Sequence, residues 1–446
     1  MLACTIEQGD IGDLGNIREL NRRAVVTFNE HRHPSMPVFS LSLSCNHCGS
    51  PACMTHCPAA AITKDVDTGA VIIDGALCLG CKYCTWACPY DAPRYNESSG
   101  TVEKCDFCIT RLRDGEEPAC VRACPTEALG LGKINPLEPM EPGIPGFTNN
   151  GLHPAIRFKP LRDRQQVPHA SAPPAAHAIN SLFASCLDNP PAKITLKAEW
   201  ILLVFTSMAF ILTAWFAAYV IVSLPLNSFV FVGLGSVAMA LSTIHLGKKQ
   251  RAYRAIFNLR HSWLSREIFL FSAFLGLGGF YLFFAPPFHV LGWVALSAGF
   301  FSLFAIDRIY QVALHIGPAN FHSAHVLFNG LYLAGFLTGH VVIFAATGFF
   351  KLTLYLQRKY LFKQLCRPIR PLLSGTRILL GFILPASVFV FLPGAPATLL
   401  GGLATVSILI GEIIDRTEYY QELDIITPRK QMRADILLWF NAIKNK

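Results

Sequence analysis

Twelve of the fifteen cysteines in this 446-residue chain stand in three groups of four, which constrain its fold more than any other feature. Each group ends in Cys-Pro, and the members are Cys45, Cys48, Cys53 and Cys57, then Cys78, Cys81, Cys84 and Cys88, then Cys105, Cys108, Cys120 and Cys124. The middle group, CLGCKYCTWACP, has the C-x2-C-x2-C-x3-C-P spacing of bacterial 4Fe–4S proteins. In that spacing three thiolates hold one cluster and the fourth holds its neighbour. The groups therefore predict paired 4Fe–4S clusters.

Zinc and disulfides are the other common uses of closely spaced cysteines. A zinc ribbon uses two pairs of cysteines per site and does not explain three-plus-one groups that close with proline. A disulfide framework is typical of small secreted proteins and does not explain the repeated short spacings. Cys186 and Cys366 have no partner motif, so we interpret them as ordinary thiols.

Composition divides the chain into four parts. Only 15% of the residues are charged and the mean hydropathy is +0.39, so part of the chain should lie in lipid. We expect a ferredoxin-type 4Fe–4S domain over residues 1–132 and, because of its eleven prolines, a linker over 133–197. Residues 198–416 should form a transmembrane domain, and residues 417–446 a polar tail. The fold class expected is an α+β ferredoxin-like iron–sulfur domain followed by an all-α polytopic transmembrane helix bundle.

Seven apolar runs follow the linker, each near the roughly 20 residues that cross a bilayer. They are Ala198–Leu224, Ser228–Leu246, Ile268–Ala285, Val290–Ile306, about His322–Phe350, Ile378–Leu392 and Thr398–Ile414. Segment 247–266 holds six Lys or Arg and segment 351–377 holds seven. Such basic loops are typical of the cytoplasmic side, so we attribute the formal charge of +9 to topology and expect no nucleic-acid partner. A turn near Gly339 would split the fifth run, give eight spans instead of seven and place both basic segments on one face.

The order of the cysteine groups, with the x11 gap in CDFCITRLRDGEEPACVRACP, resembles the four-cluster iron–sulfur subunit of the DMSO reductase family of molybdenum enzymes. The resemblance implies a first cluster on Cys45, Cys48, Cys53 and Cys88, and a second on Cys57, Cys78, Cys81 and Cys84. It implies a third cluster on Cys105, Cys108 and Cys120, with a fourth ligand from an earlier group.

Only the closing residue of that earlier group is present, as Cys4 in MLACTIEQGD. Cys4 would complete the third cluster, and Cys124 would belong to a fourth cluster whose other cysteines would precede Met1. We therefore expect the chain to carry three complete clusters and to be a fragment or to begin at an internal start. The alternatives are a true three-cluster protein and an incidental thiol at Cys4.

The membrane half resembles the anchor subunit of the same family, an eight-helix quinol-oxidising protein without haem. The segments that carry the resemblance are HLGKKQRAYRAIFNLRHSWLSREI, DRIYQV and GEIIDRTEYY. It implies that His245 and Glu267 lie around the quinol and that Arg251 assists. Quinol oxidation releases protons, so an acceptor at the membrane edge is chemically reasonable. The alternative is that His245 caps a helix and Glu267 pairs with Arg266 or a lipid-facing arginine. Haem is not expected, because no doubled histidine-bearing spans are evident.

The function implied is an electron-transfer and membrane-anchor subunit that passes electrons between quinol and a separate molybdopterin catalytic subunit. No P-loop, dinucleotide-binding glycine motif or activated nucleophile is present to act on a substrate. The same architecture could run in reverse, as in sulfite oxidation, or could translocate ions. For ion translocation the mid-span candidates are Asp307 with Arg308 and His340, and Glu412 and Asp415 could form a second proton route or pair with Arg416. The expected location is the inner membrane, with the iron–sulfur domain on the cytoplasmic face.

Overall fold

The chain divides into two compact units, residues 1–192 with 426–446 and residues 193–425. The computed structural model describes residues 2–8, 22–28, 39–134, 151–158, 194–284, 288–311, 322–364, 370–391 and 398–422. Cys186 and Cys366, most of the expected linker and most of the expected tail lie outside these residues.

The first unit is built from short antiparallel hairpins and single-turn helices. The hairpins pair β1 (Arg23–Phe28) with β2 (Phe39–Ser44), β3 (Ile62–Lys64) with β4 (Val71–Ile73), and β5 (Arg94–Asn96) with β6 (Thr101–Glu103). Polar turns close two of these hairpins. Asp65 Oδ2 accepts hydrogen bonds from the N–H of Thr68 (2.9 Å) and its hydroxyl (2.6 Å), and Asn96 Oδ1 accepts from the N–H of Ser98 (3.0 Å). The unit thus combines short strands and short helices, as the expected α+β class requires.

Five short helices carry or adjoin the cysteines of this unit. They are α1 (Leu2–Glu7), α2 (Ala52–Thr55), α3 (Tyr83–Ala87), α4 (Ile109–Arg113) and α5 (Ala119–Arg122). Left-handed residues turn the chain just before two of them, with φ of +61° at Lys82 before α3 and +49° at Cys108 before α4. These turns direct successive thiols of one group toward a common point instead of along a helix or strand.

The second unit is helical. Its long helices are α6 (Leu196–Val222), α7 (Ser228–Ile244), α8 (Trp263–Phe284), α9 (His289–Tyr310), α10 (Val326–Leu337), α11 (Val341–Gln364), α12 (Pro371–Phe391) and α13 (Leu399–Glu422). Among the described residues four of them, α6, α8, α9 and α12, are long and apolar enough to cross a bilayer. A fifth span results if α7 is counted together with the 3-10 helix Lys249–Ile256, which is bent away from it by 106°. The total of seven to eight spans stays a prediction.

A tight turn at residues 338–340 divides the longest apolar run at the expected place. Gly339 has a φ of +68°, and the N–H of His340 donates to the carbonyl of Gly335 at 3.0 Å. The flanking helices α10 and α11 pack antiparallel, with the rings of Tyr332 and Phe344 stacked at 4.8 Å. A Cβ at Gly335 would lie 2.7 Å from the backbone nitrogen of Phe344, so glycine is required for this close approach.

Both basic segments lie at the same end of the helical unit. The guanidinium of Arg308, at the end of α9, lies 5.6 Å from the ring of Trp263, at the start of α8. Asp307 accepts a hydrogen bond from the N–H of Val326 (2.7 Å) at the start of α10, and Arg358 in α11 pairs with Glu418 near the end of α13 (3.1 Å). The turn at Gly339 reverses the chain and thereby brings Arg358, near the end of α11, to the end that carries segment 247–266.

Candidate metal centres and quinone site

One cavity of the first unit is lined by four cysteines from two different groups. Cys45, Cys48, Cys53 and Cys88 surround a space of about 370 Å³, which Pro51, Tyr90 and Lys104 also line. The N–H of His47 donates to the Sγ of Cys45 at 3.5 Å. Hydrogen bonds of this kind stabilise a thiolate sulfur and tune the potential of a cluster bound to it. We refer to these four cysteines as the first site.

A second cavity of similar size is lined by four further cysteines. Cys57, Cys78, Cys81 and Cys84 surround a space of about 340 Å³. The N–H of Ala61 donates to the Sγ of Cys57 (3.3 Å), and the N–H of Gly80 donates to the Sγ of Cys78 (3.4 Å). We refer to these four as the second site. In both cavities the closing cysteine of one group joins three members of the other, which is the exchange that the spacing and the resemblance implied.

A third set of thiols gathers where α1 packs against α5. Its members are Cys4, Cys105, Cys108 and Cys120. Polar contacts hold α1 in place: Gln8 Nε2 donates to Asp106 Oδ1 at 3.0 Å, and Arg111 pairs with Glu7 at 3.3 Å. Burial together with the neighbouring thiols of Cys108 and Cys120 raises the pKa of Cys4 to about 11. We refer to these four as the third site.

Cys124 stands apart from the three sites. Its Sγ contacts Thr126 Oγ1 at 3.7 Å, and this hydrogen bond is the main reason that the pKa of the thiol is lowered. The main causes of that shift are hydrogen bonds to Thr126, Leu129 and Ala128, and no neighbouring thiol is among them. The structure thus brings twelve of the thirteen candidate ligands together and separates the thirteenth.

The electrostatics of the three sites favour a bound cationic centre. Burial raises the pKa of Cys48, Cys81 and Cys105 to about 12, with neighbouring thiols as a further cause. Such thiols become thiolates only when a metal replaces their protons. No three His, Cys, Asp or Glu side chains of the described segments lie close enough to share a single metal ion. The sets therefore fit a multi-atom iron–sulfur cluster better than a zinc ion.

We call the three neighbouring thiol sites the row. The charge of Cys53 in the first site acts on Cys84 in the second, and the charge of Cys45 in the first site acts on Cys105 in the third. Thiols of the first site thus lie near both of the other sites, which allows short steps from site to site.

The residues expected around the quinol lie at the basic end of the helical unit. His245 follows the last residue of α7, Arg251 lies in the 3-10 helix Lys249–Ile256, and Glu267 lies in the second turn of α8. Glu267 is buried, and His245 and Arg251 are half-buried. Arg266 does not pair with Glu267, since its guanidinium donates to the carbonyls of Leu259 (2.8 Å) and Arg260 (2.6 Å).

The arginine whose charge acts on Glu267 is Arg416 of α13, which is distant in sequence. Its guanidinium is buried, donates to the carbonyl of Ala324 (3.1 Å) and lies about 5 Å from the rings of Tyr310, Tyr419 and Tyr420. The interpretation of Glu267 as one half of a local pair with Arg266 is therefore wrong, because adjacent residues of a helix point in different directions.

A buried ion quartet links α11, α12 and α13, and sequence reasoning missed it. Glu412 pairs with Lys351 (2.9 Å) and Arg377 (3.1 Å), and Asp415 pairs with Arg377 (3.3 Å) and Arg358 (3.1 Å). The side chains of Lys351, Arg377, Glu412 and Asp415, which we call the ion quartet, have no exposed surface. Glu412 and Asp415 thus pair with these cations, and the expected pairing with Arg416 is wrong.

Arg377 fits into the bundle because two glycines make room for it. A Cβ at Gly381 would lie 1.7 Å from Arg377 Nη1, and a Cβ at Gly411 would lie 2.5 Å from the Cα of Gly381. The segment Leu379–Ile383 beside Arg377 is π-helical. The hydroxyls of Tyr332 and Ser407 donate to carbonyls of this segment, those of Gly381 (2.9 Å) and Leu380 (2.6 Å).

The mid-span residues proposed for ion movement do not form a pair. Asp307 accepts from the N–H groups of Val326 and Leu327 and so caps the start of α10. Arg308 donates to Gln311 at 2.6 Å and lies over the ring of Trp263, and His340 belongs to the turn after α10. Among the described residues of the helical unit, the ion pairs with no exposed surface are instead those of the ion quartet.

Two protein-family models match the chain in separate segments. They are the 4Fe-4S dicluster domain over residues 36–134 and the DMSO reductase anchor subunit (DmsC) over residues 195–359. An anaerobic dimethyl sulfoxide reductase protein of Haemophilus influenzae is 40% identical over 140 residues, which are 30% of this chain and 67% of that protein. Its Escherichia coli counterpart is 48% identical over 105 residues, 24% of this chain and 51% of that protein. A sulfite dehydrogenase protein of Allochromatium vinosum is 38% identical over 117 residues, which are 25% of this chain and 49% of that protein. The chain thus spans about half to two thirds of the length of these relatives.

Proposed function

We propose a function for this chain from the family to which it belongs. That family is the dimethyl sulfoxide reductase iron–sulfur subunits, and the second half of the chain carries an anchor domain of the same complexes. It is an iron–sulfur electron-transfer subunit joined to a multi-pass membrane anchor. We infer that it passes electrons between quinol in the membrane and a separate molybdopterin catalytic subunit.

The observation that carries the proposal is the row of three thiol sites in the same chain as a DMSO reductase anchor domain. Bound 4Fe–4S clusters supply one-electron carriers at these sites. The residues of this chain hold the clusters with twelve thiolates and enclose two of the sites in cavities. Cys124 has no place in the three sites, so the proposal assigns it no cluster.

Glu267 is the proposed proton acceptor for the quinol. Its carboxylate is buried near the basic end of the helices, where a proton released by quinol oxidation must be taken up before the electrons leave. His245 and Arg251 lie on the elements that connect α7 to α8, and we propose that they contact the quinol from that side. Arg416 is the charged residue that acts on Glu267 from α13.

Reverse electron flow and ion translocation are the alternatives. A relative named for sulfite dehydrogenase supports the first, in which electrons enter from the partner and reduce quinone. The ion quartet favours the second, because buried ionisable groups in a membrane domain are costly and commonly lie on ion or proton pathways.

One experiment separates these functions. The purified full chain is placed in phospholipid vesicles with a pH-sensitive dye inside, and a water-insoluble menaquinol is added. Bleaching of the iron–sulfur absorbance by quinol supports the proposed function. Oxidation of the reduced clusters by added quinone supports electron flow in the opposite direction, from the clusters to quinone. Quinol oxidation itself releases a known number of protons. A pH change inside the vesicles that exceeds this number supports ion translocation. The absence of any electron exchange with quinol or quinone would overturn the proposal.

We also propose that the basic end of the helical unit faces the cytoplasm, and that the iron–sulfur domain is cytoplasmic. Lys248→Cys and Arg370→Cys are then both expected to react with a membrane-impermeant maleimide only in inverted vesicles. Pro225→Cys, in an exposed loop at the other end, is the control and should react only in right-side-out cells. Labelling of the Lys248 and Arg370 positions from opposite sides would contradict both the eight-span topology and the shared basic face.

A further inference from the structure

Lys104 is a buried lysine beside the first site. It follows β6, directly precedes Cys105, and is 4% exposed. Its Nζ donates to the carbonyls of Val71 and Cys105, the latter at 3.0 Å. The side chain lines the same cavity as Cys45, Cys48, Cys53 and Cys88. The amine therefore lies in the protein interior, next to the space that these four thiols surround.

Lys104 has no carboxylate partner among the residues that the structure describes. Of the two acidic residues nearest in sequence, Glu103 pairs with Arg22 (3.2 Å) and Asp106 accepts from the side chain of Gln8 and the N–H of Cys108. Two backbone carbonyls satisfy donors of the amine, but they do not neutralise its charge. A buried cation without a counter-charge costs several kcal/mol even after relaxation of the protein. Some anion near Lys104 must offset this cost.

The thiolates of the first site provide that negative charge. Four thiolates around a 4Fe–4S cube leave the whole group negative, and one added electron makes it more so. The charge of Lys104 lowers the pKa of Cys53 in the first site and of Cys105 in the third, against the effect of burial.

The lysine beside the second site is more exposed to water than Lys104 is. Lys82 lines its cavity but is half-buried, and its amine lies 4.3 Å from the centre of the Tyr95 ring. Lys64, near the first site, is also half-buried and donates to the carbonyl of Cys48 at 2.9 Å. Charges that remain in contact with water are screened, whereas a buried charge acts through a low dielectric. Lys104 is therefore the main difference in charge between the two cavities.

We propose that Lys104 is the fixed counter-charge of the first site and holds the reduction potential of a cluster there above the value that the thiolate set alone would give. A positive charge stabilises the reduced form more than the oxidised form, because reduction adds one negative charge. Lys104 thereby makes a cluster at the first site easier to reduce. The inference rests on the proposed function only in that the sites hold 4Fe–4S clusters.

The test is a redox titration of the full chain followed by electron paramagnetic resonance, with the first-site signal identified by its loss in Cys53→Ser. Lys104→Gln removes the charge and keeps a hydrogen-bond donor. We expect at least a tenfold loss in the one-electron reduction equilibrium of the first site, about 59 mV toward negative potential. The second-site potential should change much less. Lys104→Arg should restore the wild-type value, and Lys133→Met, which removes an exposed charge, should change nothing.

Two outcomes would overturn the proposal: an unchanged first-site potential in Lys104→Gln, or an equal shift at all sites. If Lys104→Gln fails to assemble the first cluster, Lys104→Arg decides the matter by iron content. Iron retained in Lys104→Arg shows that the charge is needed, and iron lost there shows that only packing matters. A chemical reductant is used throughout, so failure of quinol to reduce the wild-type chain would concern the proposed function and not Lys104.

Discussion

Glu267→Gln is expected to lower the rate of quinol-driven cluster reduction at least about a hundredfold, since a positioned general base contributes roughly 10²–10⁴ in rate. The amide keeps the size of the carboxyl group but cannot take up the proton that quinol releases. The side chain is buried, so water cannot readily replace it. Stopped-flow absorbance of the iron–sulfur clusters after mixing vesicles with menaquinol measures the effect.

The clusters themselves should be unaffected by this substitution. Dithionite reduces them from the aqueous side, so the extent of dithionite bleaching should equal that of the wild type. His245→Ala is expected to lower the quinol rate as well, and His289→Ala, at the start of α9 and the opposite end of the helices, is its matched control. Full quinol activity in both Glu267→Gln and His245→Ala would place the quinol site elsewhere and leave His245 as a helix-end residue.

The second large effect concerns the two cysteines that the structure treats differently. The wild-type chain is expected to bind about twelve irons, three clusters of four. Cys4→Ser should remove the third cluster or reduce it to a form with fewer irons, because Cys4 is buried beside Cys108 and Cys120. Cys124→Ser should leave the iron content unchanged, because Cys124 contacts Thr126 and lies apart from the three sites.

Iron and acid-labile sulfide analysis of the purified chains measures this contrast, with the spectrum of the first and second sites as an internal reference. Cys186→Ser is the control for loss of a thiol that belongs to no cysteine group. Equal loss of iron in Cys4→Ser and Cys124→Ser would mean that Cys124 is a ligand and that the third site is wrongly composed. No loss in either would make Cys4 an incidental thiol.

The cysteine sites could be predicted because their chemistry is encoded locally. In the first and second sites, three of the four cysteines lie within a short stretch of sequence, and the spacing indicates that the fourth comes from the neighbouring group. The exchange between Cys57 and Cys88 follows that rule. Cys4 had no local motif of its own, and only the resemblance to a four-cluster subunit assigned it to Cys105, Cys108 and Cys120.

The turn at Gly339 could also be anticipated, although its glycine was only one of many. The reason was global: a single span there would have placed two basic segments on opposite faces, against the usual distribution of positive charge. The structure adds the local cause. Gly339 adopts a positive φ, and Gly335 allows the backbone of Phe344 to approach.

The ion quartet could not be predicted from one sequence. Lys351 lies 61 residues from Glu412, and Arg377 lies 35 residues from it, so no periodicity connects them. Lys351 and Arg377 stand at the borders of a segment rich in Lys and Arg, which indicated a cytoplasmic loop. Their burial depends on how α11, α12 and α13 pack, and on the space that Gly381 and Gly411 leave for the guanidinium of Arg377.

The alternative in which Glu267 pairs with Arg266 failed for a related reason. Arg266 is its neighbour in sequence, but on α8 the two side chains point in different directions, and the guanidinium of Arg266 turns back to carbonyls before the helix. The charge that acts on Glu267 comes instead from Arg416 on α13, 149 residues later in the chain. Local pairing rules fail where a buried helix face meets a distant helix.

The most direct test of the central claim is quinol-driven reduction of the clusters in the full chain alone, followed by electron paramagnetic resonance in phospholipid vesicles. Menaquinol should produce the signals of reduced 4Fe–4S clusters, or quinone should remove them after chemical reduction, and Glu267→Gln should prevent both exchanges while dithionite still reduces every cluster. Clusters that respond to dithionite but exchange no electrons with quinol or quinone in the wild-type chain would contradict the account.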